Sequence, residues 1–262
     1  MVESLPPKRF QVIPVRFLLP NLVTLLALCS GVTSIKLAIE NRYELAVGAI
    51  IVAIILDAVD GRLARMLKGS SRFGAELDSL ADFVNFGVAP ALLLYFWSLH
   101  ELGNLGWIAA LSLAVCGALR LARFNVAVDD PDKPAFTKNF FTGAPAPAGA
   151  GIAMLPMYLG FLGVLSDAAA AAPFIAPYVF GVAILMVSHV PTWSGKNMGG
   201  RVSREHALMI LSFTVFFIAM LAAFTWHVLA LCAVAYLAML PFGIRSYRRQ
   251  AAAWKGSNGA EP

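Results

Sequence analysis

The sequence predicts an all-α, polytopic membrane protein of about eight transmembrane helices. Of its 262 residues, 59% are hydrophobic and only 13% are charged, which is outside the usual composition of soluble globular domains. The apolar residues fall in stretches of roughly 20, long enough to cross a bilayer core of about 30 Å as a helix. Lys and Arg collect between alternate stretches, as they do in membrane proteins of fixed orientation.

The predicted helices follow one another along the whole chain. They lie at 17–39, 44–66, 75–98, 105–125, 144–165, 174–192, 207–225 and 227–243. Only Thr225, Trp226 and His227 interrupt the apolar run between the last two, so these two should form a tight helical hairpin. The chain then divides into an N-terminal segment at 1–16, a membrane core at 17–205, an additional helix pair at 206–245 and a tail at 246–262. The N-terminal segment can form an interfacial helix along the membrane surface, or it can be an unstructured tail.

The basic residues predict the orientation of the helices. If every stretch crosses the membrane, the clusters of Lys and Arg all fall on one side. They lie within 8–16, 62–72, 120–138, 196–204 and 245–255. The positive-inside rule places this side, with both termini, in the cytoplasm, as in an integral protein of the bacterial inner membrane. Topology and anionic lipid headgroups account for the net charge of +5, so we expect membrane lipids and no nucleic acid as partners.

One segment breaks the apolar pattern, and it reads DAVDGRLARMLKGSSRFGAELDSLAD from Asp57 to Asp82. On helices, Asp57 and Asp60 are at i, i+3 and Asp78 and Asp82 at i, i+4, so each pair projects from one face. A helical hairpin around the basic loop would bring the pairs to the same depth, where four carboxylates converge on one pocket. Four intramembrane carboxylates cost on the order of 10 kcal/mol, which bound cations would offset.

The residue types around these aspartates indicate the chemistry. Ligands that are all oxygens favour Mg²⁺ or Mn²⁺, and two such ions suit phosphoryl-type transfer. Gly61 and Gly74 leave room for close helix packing or for a phosphate near the backbone. Arg65, one turn from Gly61, can reach toward a phosphate. The alternative is a structural network in which the aspartates pair with Arg62, Arg65 and Arg72.

The spacing DxxDGxxARx8Gx3Dx3D is identified as the signature of the CDP-alcohol phosphotransferase family. Further stretches resemble the bacterial branch of that family that uses L-serine as the acceptor. They are LPNLVTLLALCSG at 19–31, DSLADFVNFGVAPALLLY at 78–95, LRLARFNV at 119–126, FFTGAPAPAGA at 140–150 and SHVPTWSGK at 188–196. Two departures bear on the acceptor: GAPAPAG replaces the usual GLPSPAA, and Asn85 stands where a small hydroxyl residue is frequent.

The resemblance, which covers roughly 17–205, implies a fold, an activity and roles for residues. The fold is a six-helix membrane core in a homodimer. The activity is phosphatidyl transfer from CDP-diacylglycerol to the hydroxyl of L-serine, which gives phosphatidylserine and CMP. Asp57, Asp60 and Asp78 would hold two divalent cations, Mg²⁺ or Mn²⁺, while Asp82 completes the cluster and acts as general base. The residues that would line the CDP site are Gly61, Ala64, Arg65 and Gly74.

Two alternatives stay open at this point. The acceptor can be glycerol 3-phosphate or choline in place of serine, with the same chemistry. A more distant alternative is a cation transporter, which would also use intramembrane carboxylates but would not require the matched glycines and Arg65.

Two further pairs of polar residues lie at the predicted cytoplasmic helix ends. Asn21 and Thr24 share a face of the first helix, where they can bind the cytidine or ribose, or can cap the helix or bond to a neighbouring helix. Arg120 and Arg123 are at i, i+3 near the end of the fourth helix. They can bind a substrate phosphate or the serine carboxylate, or anchor the helix as positive-inside residues.

Overall fold

The computed structural model describes residues 15–67, 69, 71–128, 140–193 and 204–258. The segment predicted as a possible interfacial helix, 1–16, lies outside the described residues except for its last two. Helices account for nearly all of the described regular structure, and a short two-stranded ribbon joins them. The all-α prediction is therefore confirmed. The two short strands were not predicted, because no alternating apolar pattern marks them in the sequence.

The first two helices form a hairpin that supports the aspartates. Helix α1 spans Val15–Ile39 and α2 spans Tyr43–Met66, and the two pack along each other. The turn between them includes Asn41 with a φ of 58°, a left-handed conformation that asparagine tolerates better than most residues. The short turn places the N-terminal half of α1 beside Asp60 of α2.

The next helical stretch is continuous from residue 72 to residue 97 but changes its winding. Helix α3 spans Arg72–Asp82, a π-helical turn covers Phe83–Val88, and α4 spans Ala89–Trp97. Pro90 has no N–H to donate to the carbonyl of Phe86, which favours irregular winding at this point. The π-helical turn rotates everything after Asp82 relative to α3, so a regular helix would not place Asn85 where it lies.

The middle of the chain builds the rest of the core. A 3₁₀ turn at Leu99–Leu102 leads to α5, Asn104–Val128. Strands β1, Phe140–Thr142, and β2, Pro191–Trp193, pair antiparallel with Phe141 opposite Thr192. Between them lie three helices: α6, Ala146–Ala153; α7, Leu155–Phe161; and α8, Ala168–Val187.

The predicted helix at 144–165 is broken between α6 and α7. Pro156 cannot donate a hydrogen bond to the Ile152 carbonyl four residues earlier. The Tyr178 hydroxyl of α8 donates to that oxygen at 2.7 Å. The break is thus stabilised by a neighbouring helix, which periodicity alone does not reveal.

The last two helices follow each other with one residue between them. Helix α9 spans Arg204–Ala223 and α10 spans Thr225–Asn258. The side chains of residues 208–219 of α9 are exposed, so the tight hairpin expected of these two helices stays a prediction. Helix α10 packs against α6, α7 and β2. It continues past the predicted boundary at 245, so residues 246–258 of the predicted tail are helical.

Among the described residues, five helical segments are long and apolar enough to cross a membrane. They are Leu18–Ile39, Arg72–Trp97, Asn104–Val126, Ala168–Val187 and Thr225–Gln250. The other three predicted stretches are also helical. Of these, α2 carries the aspartates, and the stretch at 144–165 is divided into α6 and α7. The apolar part of α9 is only Leu208–Ala223. Many large apolar side chains on α1 and α9 are exposed, as expected of an integral membrane protein.

Candidate active site

Helices α2 and α3 bring three aspartates together at one end of the bundle. Asp57, Asp60 and Asp78 each present a carboxylate oxygen, and these oxygens lie within 4.8 Å of one another. Asp60 is buried, with only 4% of its surface exposed. Three carboxylates this close repel one another strongly unless a cation or protons neutralise them. The oxygen donors fit a hard divalent cation such as Mg²⁺ or Mn²⁺.

Asp82 lies one turn further along α3, beside this group and not within it. Its carboxyl group is within hydrogen-bonding reach of Asp57. Its Oδ1 atom is buried and has no hydrogen-bond partner among the described residues. The four carboxylates therefore do not all meet at one point. Three of them present mutually close oxygens, and the fourth, that of Asp82, adjoins Asp57.

Helix α1 fixes the position of Asp60. The Thr24 hydroxyl lies 2.6 Å from Asp60 Oδ2 and 3.1 Å from the Pro20 carbonyl. Its single proton can serve one acceptor at a time, and the bond to a carboxylate is the stronger of the two. Of the roles left open for Thr24, the structure shows the bond between helices.

A cavity of about 220 Å³ opens beside the aspartates, between α1, α2 and α3. All six residues predicted to bind the nucleotide or its phosphates line it. They are Asn21, Thr24, Gly61, Ala64, Arg65 and Gly74. Asp60 and Asp78 line it as well, so the cavity connects two of the clustered carboxylates to Arg65. We call it the nucleotide-side cavity.

The two glycines of the motif have different surroundings. A Cβ atom on Gly61 would meet only the end of the Arg65 side chain, at 3.6 Å. A Cβ atom on Gly74 would lie 2.8 Å from Asn21 Oδ1 and 3.1 Å from Ser71 Oγ. The Gly74 amide also donates to Ser71 Oγ, which caps α3, at 3.0 Å. Gly74 therefore permits close packing of α1 and α3, whereas Gly61 leaves open space in the cavity.

The two arginines of α5 do not act as a pair. The Arg120 guanidinium interacts electrostatically with Asp82 and lies 5.4 Å from the centroid of the Phe124 ring. Arg123 Nη1 instead lies 3.5 Å from the Ser188 carbonyl, after the end of α8. The structure thus brings Arg120 to the aspartates and directs Arg123 away from them.

Three polar residues near the site were not predicted as site residues. Ser71 caps α3, and a serine before a helix is the usual signal for such a cap. Asn85 is 1% exposed, its side-chain amide has no partner among the described residues, and it fills the space that Gly31 leaves on α1. Tyr236 of α10 approaches Arg120, and a single tyrosine in an apolar helix gives no such signal.

Comparison with known families and proteins gives consistent results. The family model described as CDP-alcohol phosphatidyltransferase matches residues 17–195, and the model described as CDP-alcohol phosphatidyltransferase 2 matches residues 205–241. The second match covers most of the predicted additional helix pair.

Curated relatives share one name, CDP-diacylglycerol–serine O-phosphatidyltransferase. The protein from Mycobacterium tuberculosis (strain ATCC 25618 / H37Rv) is 40% identical over 235 residues, which are 88% of this chain and 79% of the relative. That from Mycobacterium leprae is 38% identical over 239 residues, 90% of this chain and 77% of the relative. A Helicobacter pylori (strain J99 / ATCC 700824) relative is 38% identical over 143 residues, 55% and 58% of the two chains.

Proposed function

Because this chain belongs to the CDP-alcohol phosphatidyltransferase family, we propose that it transfers the phosphatidyl group of CDP-diacylglycerol to the hydroxyl of L-serine. The similarity, over most of both chains, to relatives named CDP-diacylglycerol–serine O-phosphatidyltransferase carries this proposal. The aspartate cluster and the nucleotide-side cavity supply a site with the chemistry that the reaction needs. The products are phosphatidylserine and CMP.

In the proposed step, the serine oxygen attacks the phosphorus that bears the diacylglycerol. A bond forms between that oxygen and phosphorus, and the bond from phosphorus to the CMP oxygen breaks. CMP leaves with the electron pair of the broken bond, and the serine hydroxyl proton must pass to a base. Asp82 is suited to accept it, because its Oδ1 is buried and without a partner and a positioned carboxylate can act as general base.

The remaining aspartates would hold the cations. Asp57, Asp60 and Asp78 offer the oxygens for divalent ions, which we propose to be two Mg²⁺ or Mn²⁺ ions, with Asp82 completing the cluster. Such ions, when bound, stabilise negative charge on the phosphate and leaving-group oxygens. Thr24 keeps Asp60 in position by its hydrogen bond.

The two sides of the aspartates suit the two substrates. Gly61, Ala64, Arg65, Gly74 and Asn21 would bind the CDP portion in the nucleotide-side cavity. Arg65 can pair with a phosphate through its planar guanidinium. Arg120, beside Asp82 on a different helix, would bind the carboxylate of serine. Arg123 is better explained as a residue that ties α5 to α8.

The family and the charge pattern also lead us to propose the setting of the enzyme. We place it in the bacterial inner membrane as a homodimer with about eight spans, the active site and both termini facing the cytoplasm. The serine and CMP would then exchange with the cytoplasm while both lipids stay in the bilayer.

An acceptor panel tests the proposed function. Purified protein is given CDP-diacylglycerol, Mg²⁺ or Mn²⁺, and either L-serine, glycerol 3-phosphate or choline, and CMP release is measured. We expect serine to give the highest rate, by at least about tenfold, because a polar site rejects an acceptor that leaves its buried groups unpaired. No CMP with any alcohol would refute the enzymatic activity. A higher rate with glycerol 3-phosphate would refute serine as the acceptor only.

A comparison of Gly61→Ala with Gly74→Ala tests the nucleotide-side cavity. Gly61→Ala should leave the thermal midpoint unchanged but raise the KM for CDP-diacylglycerol about tenfold, because the added methyl group occupies space meant for substrate. Gly74→Ala should lower the thermal midpoint, since its methyl group meets Asn21 and Ser71. The control is Gly48→Ala, because a Cβ atom on Gly48 would meet nothing within 4 Å. An unchanged KM in Gly61→Ala would contradict substrate contact at this position.

A further inference from the structure

A second cavity lies between strand β2 and helix α10, and we call it the β2–α10 cavity. Its volume is about 330 Å³, and it shares no described lining residue with the nucleotide-side cavity. Thr192 and Tyr236 line it together with Ser246, and Met239, Leu240 and Gly243 are among its other lining residues. Helix α10, the second helix of the additional pair, therefore forms one wall.

The hydroxyl groups of Thr192 and Tyr236 differ in their hydrogen bonding. The Thr192 hydroxyl donates to the Gly143 carbonyl at 2.8 Å, so its proton is not free for another acceptor. The Tyr236 hydroxyl lies beside Thr192, is buried, and has no aligned hydrogen-bond partner among the described residues. A buried hydroxyl without a partner costs free energy that a bound polar ligand or water can recover.

Arg120 connects this cavity to the aspartates. Its guanidinium interacts electrostatically with both Asp82 and Tyr236. The cation is thus close enough to feel both the charge of the proposed general base and the Tyr236 hydroxyl. On α10, Tyr236 and Ser246 are ten positions apart, about 15 Å along a helix. The cavity accordingly follows α10 from Tyr236 toward the C-terminal part of that helix.

We propose that the β2–α10 cavity admits L-serine to Asp82, with Tyr236 and Arg120 as the groups that bind it. Arg120 complements the carboxylate of the amino acid, and the Tyr236 hydroxyl provides the second polar contact. The volume is about ten times that of a water molecule in the liquid, so a small amino acid fits together with several waters. This inference rests on the proposed function, and it assigns a substrate-binding role to helix α10.

Tyr236→Phe tests the role of the hydroxyl. We expect the KM for L-serine to rise about tenfold, the loss of one buried hydrogen bond, while the KM for CDP-diacylglycerol and the thermal midpoint stay unchanged. The matched control is Tyr178→Phe, which removes the hydroxyl that donates to Ile152. It should lower the thermal midpoint and leave the KM for serine unchanged. An unchanged KM for serine in Tyr236→Phe would overturn the inference.

Gly243→Leu tests the cavity itself, because it fills the space beside Met239 and Leu240. We expect a raised KM for serine and loss of the thermal stabilisation that L-serine gives in the presence of CMP. A KM for CDP-diacylglycerol that becomes dependent on acyl-chain length, with the KM for serine unchanged, would show that the cavity holds lipid and would overturn the inference. Wild-type protein that releases CMP with serine keeps the proposed function intact in either case.

Discussion

Asp82→Asn is expected to lower the rate of CMP release at least about 100-fold, within the range that general bases contribute, while CDP-diacylglycerol still binds. The substitution keeps the shape of the side chain and removes its ability to accept a proton at neutral pH. Asp82 lies outside the group of three close oxygens formed by Asp57, Asp60 and Asp78, so those oxygens remain available for cations. The measurement pairs CMP release with the thermal stabilisation that CDP-diacylglycerol gives in the absence of serine.

A remote aspartate supplies the control for this substitution. Asp167 caps α8 by accepting from the amides of Ala169 and Ala170 at 2.9 and 3.0 Å. Asp167→Asn should retain turnover, since asparagine also caps helices well. If Asp82→Asn loses substrate binding as completely as turnover, then Asp82 acts mainly as a metal ligand and the proton must go elsewhere.

Removal of divalent cations is expected to abolish CMP release and also to lower the thermal midpoint of the wild-type protein. The fall in stability follows because the carboxylates of Asp57, Asp60 and Asp78 would repel one another without a cation, and because a ligand that binds only the folded state stabilises it. Chelation followed by stepwise addition of Mg²⁺ or Mn²⁺ should restore both the activity and the midpoint. Unfolding measured without substrate gives a readout independent of turnover.

Asp60→Asn identifies the site of this effect. We expect turnover to fall by about three orders of magnitude, comparable to removal of a major electrostatic group from an active site, and the thermal midpoint to become insensitive to chelation. Glu44→Gln is the matched control, because Glu44 is an exposed acid on the same helix. A wild-type midpoint and rate that do not respond to chelation would argue against bound cations. A chelation response that persists in Asp60→Asn would place the cations elsewhere.

Several features were predictable because they depend on helical spacing alone. Spacings of i, i+3 and i, i+4 put each aspartate pair on one face, and the basic loop allowed only a hairpin, so Asp57, Asp60 and Asp78 meet as predicted. Apolar length located the helices, although the break before Leu155 and the extension of α10 to Asn258 were missed. The break depends on Pro156 and on the Tyr178 hydroxyl of α8, which binds the Ile152 carbonyl. The extension depends on helix propensity after the apolar stretch ends.

The Arg120 and Arg123 pair shows where spacing ceases to be informative. The two residues are at i, i+3 on α5, so their spacing alone provides no reason to assign them different roles. Each side chain meets what packs against its part of the helix: Arg120 interacts electrostatically with Asp82 and Tyr236, and Arg123 donates a hydrogen bond to the end of α8. Spacing defines a face of a helix, but it does not identify the neighbour that covers that face.

The sequence by itself determined the membrane setting, the family and the carboxylate motif, because hydropathy and residue spacing are local properties of the chain. The tertiary structure decided that Asp82 adjoins the other three aspartates, that Thr24 holds Asp60, and that Gly61 faces open space while Gly74 faces α1. It also brought Tyr236, about 150 positions after Asp82 in the chain, to the same arginine. Such contacts follow from helix packing between distant segments, whose partners no local pattern specifies.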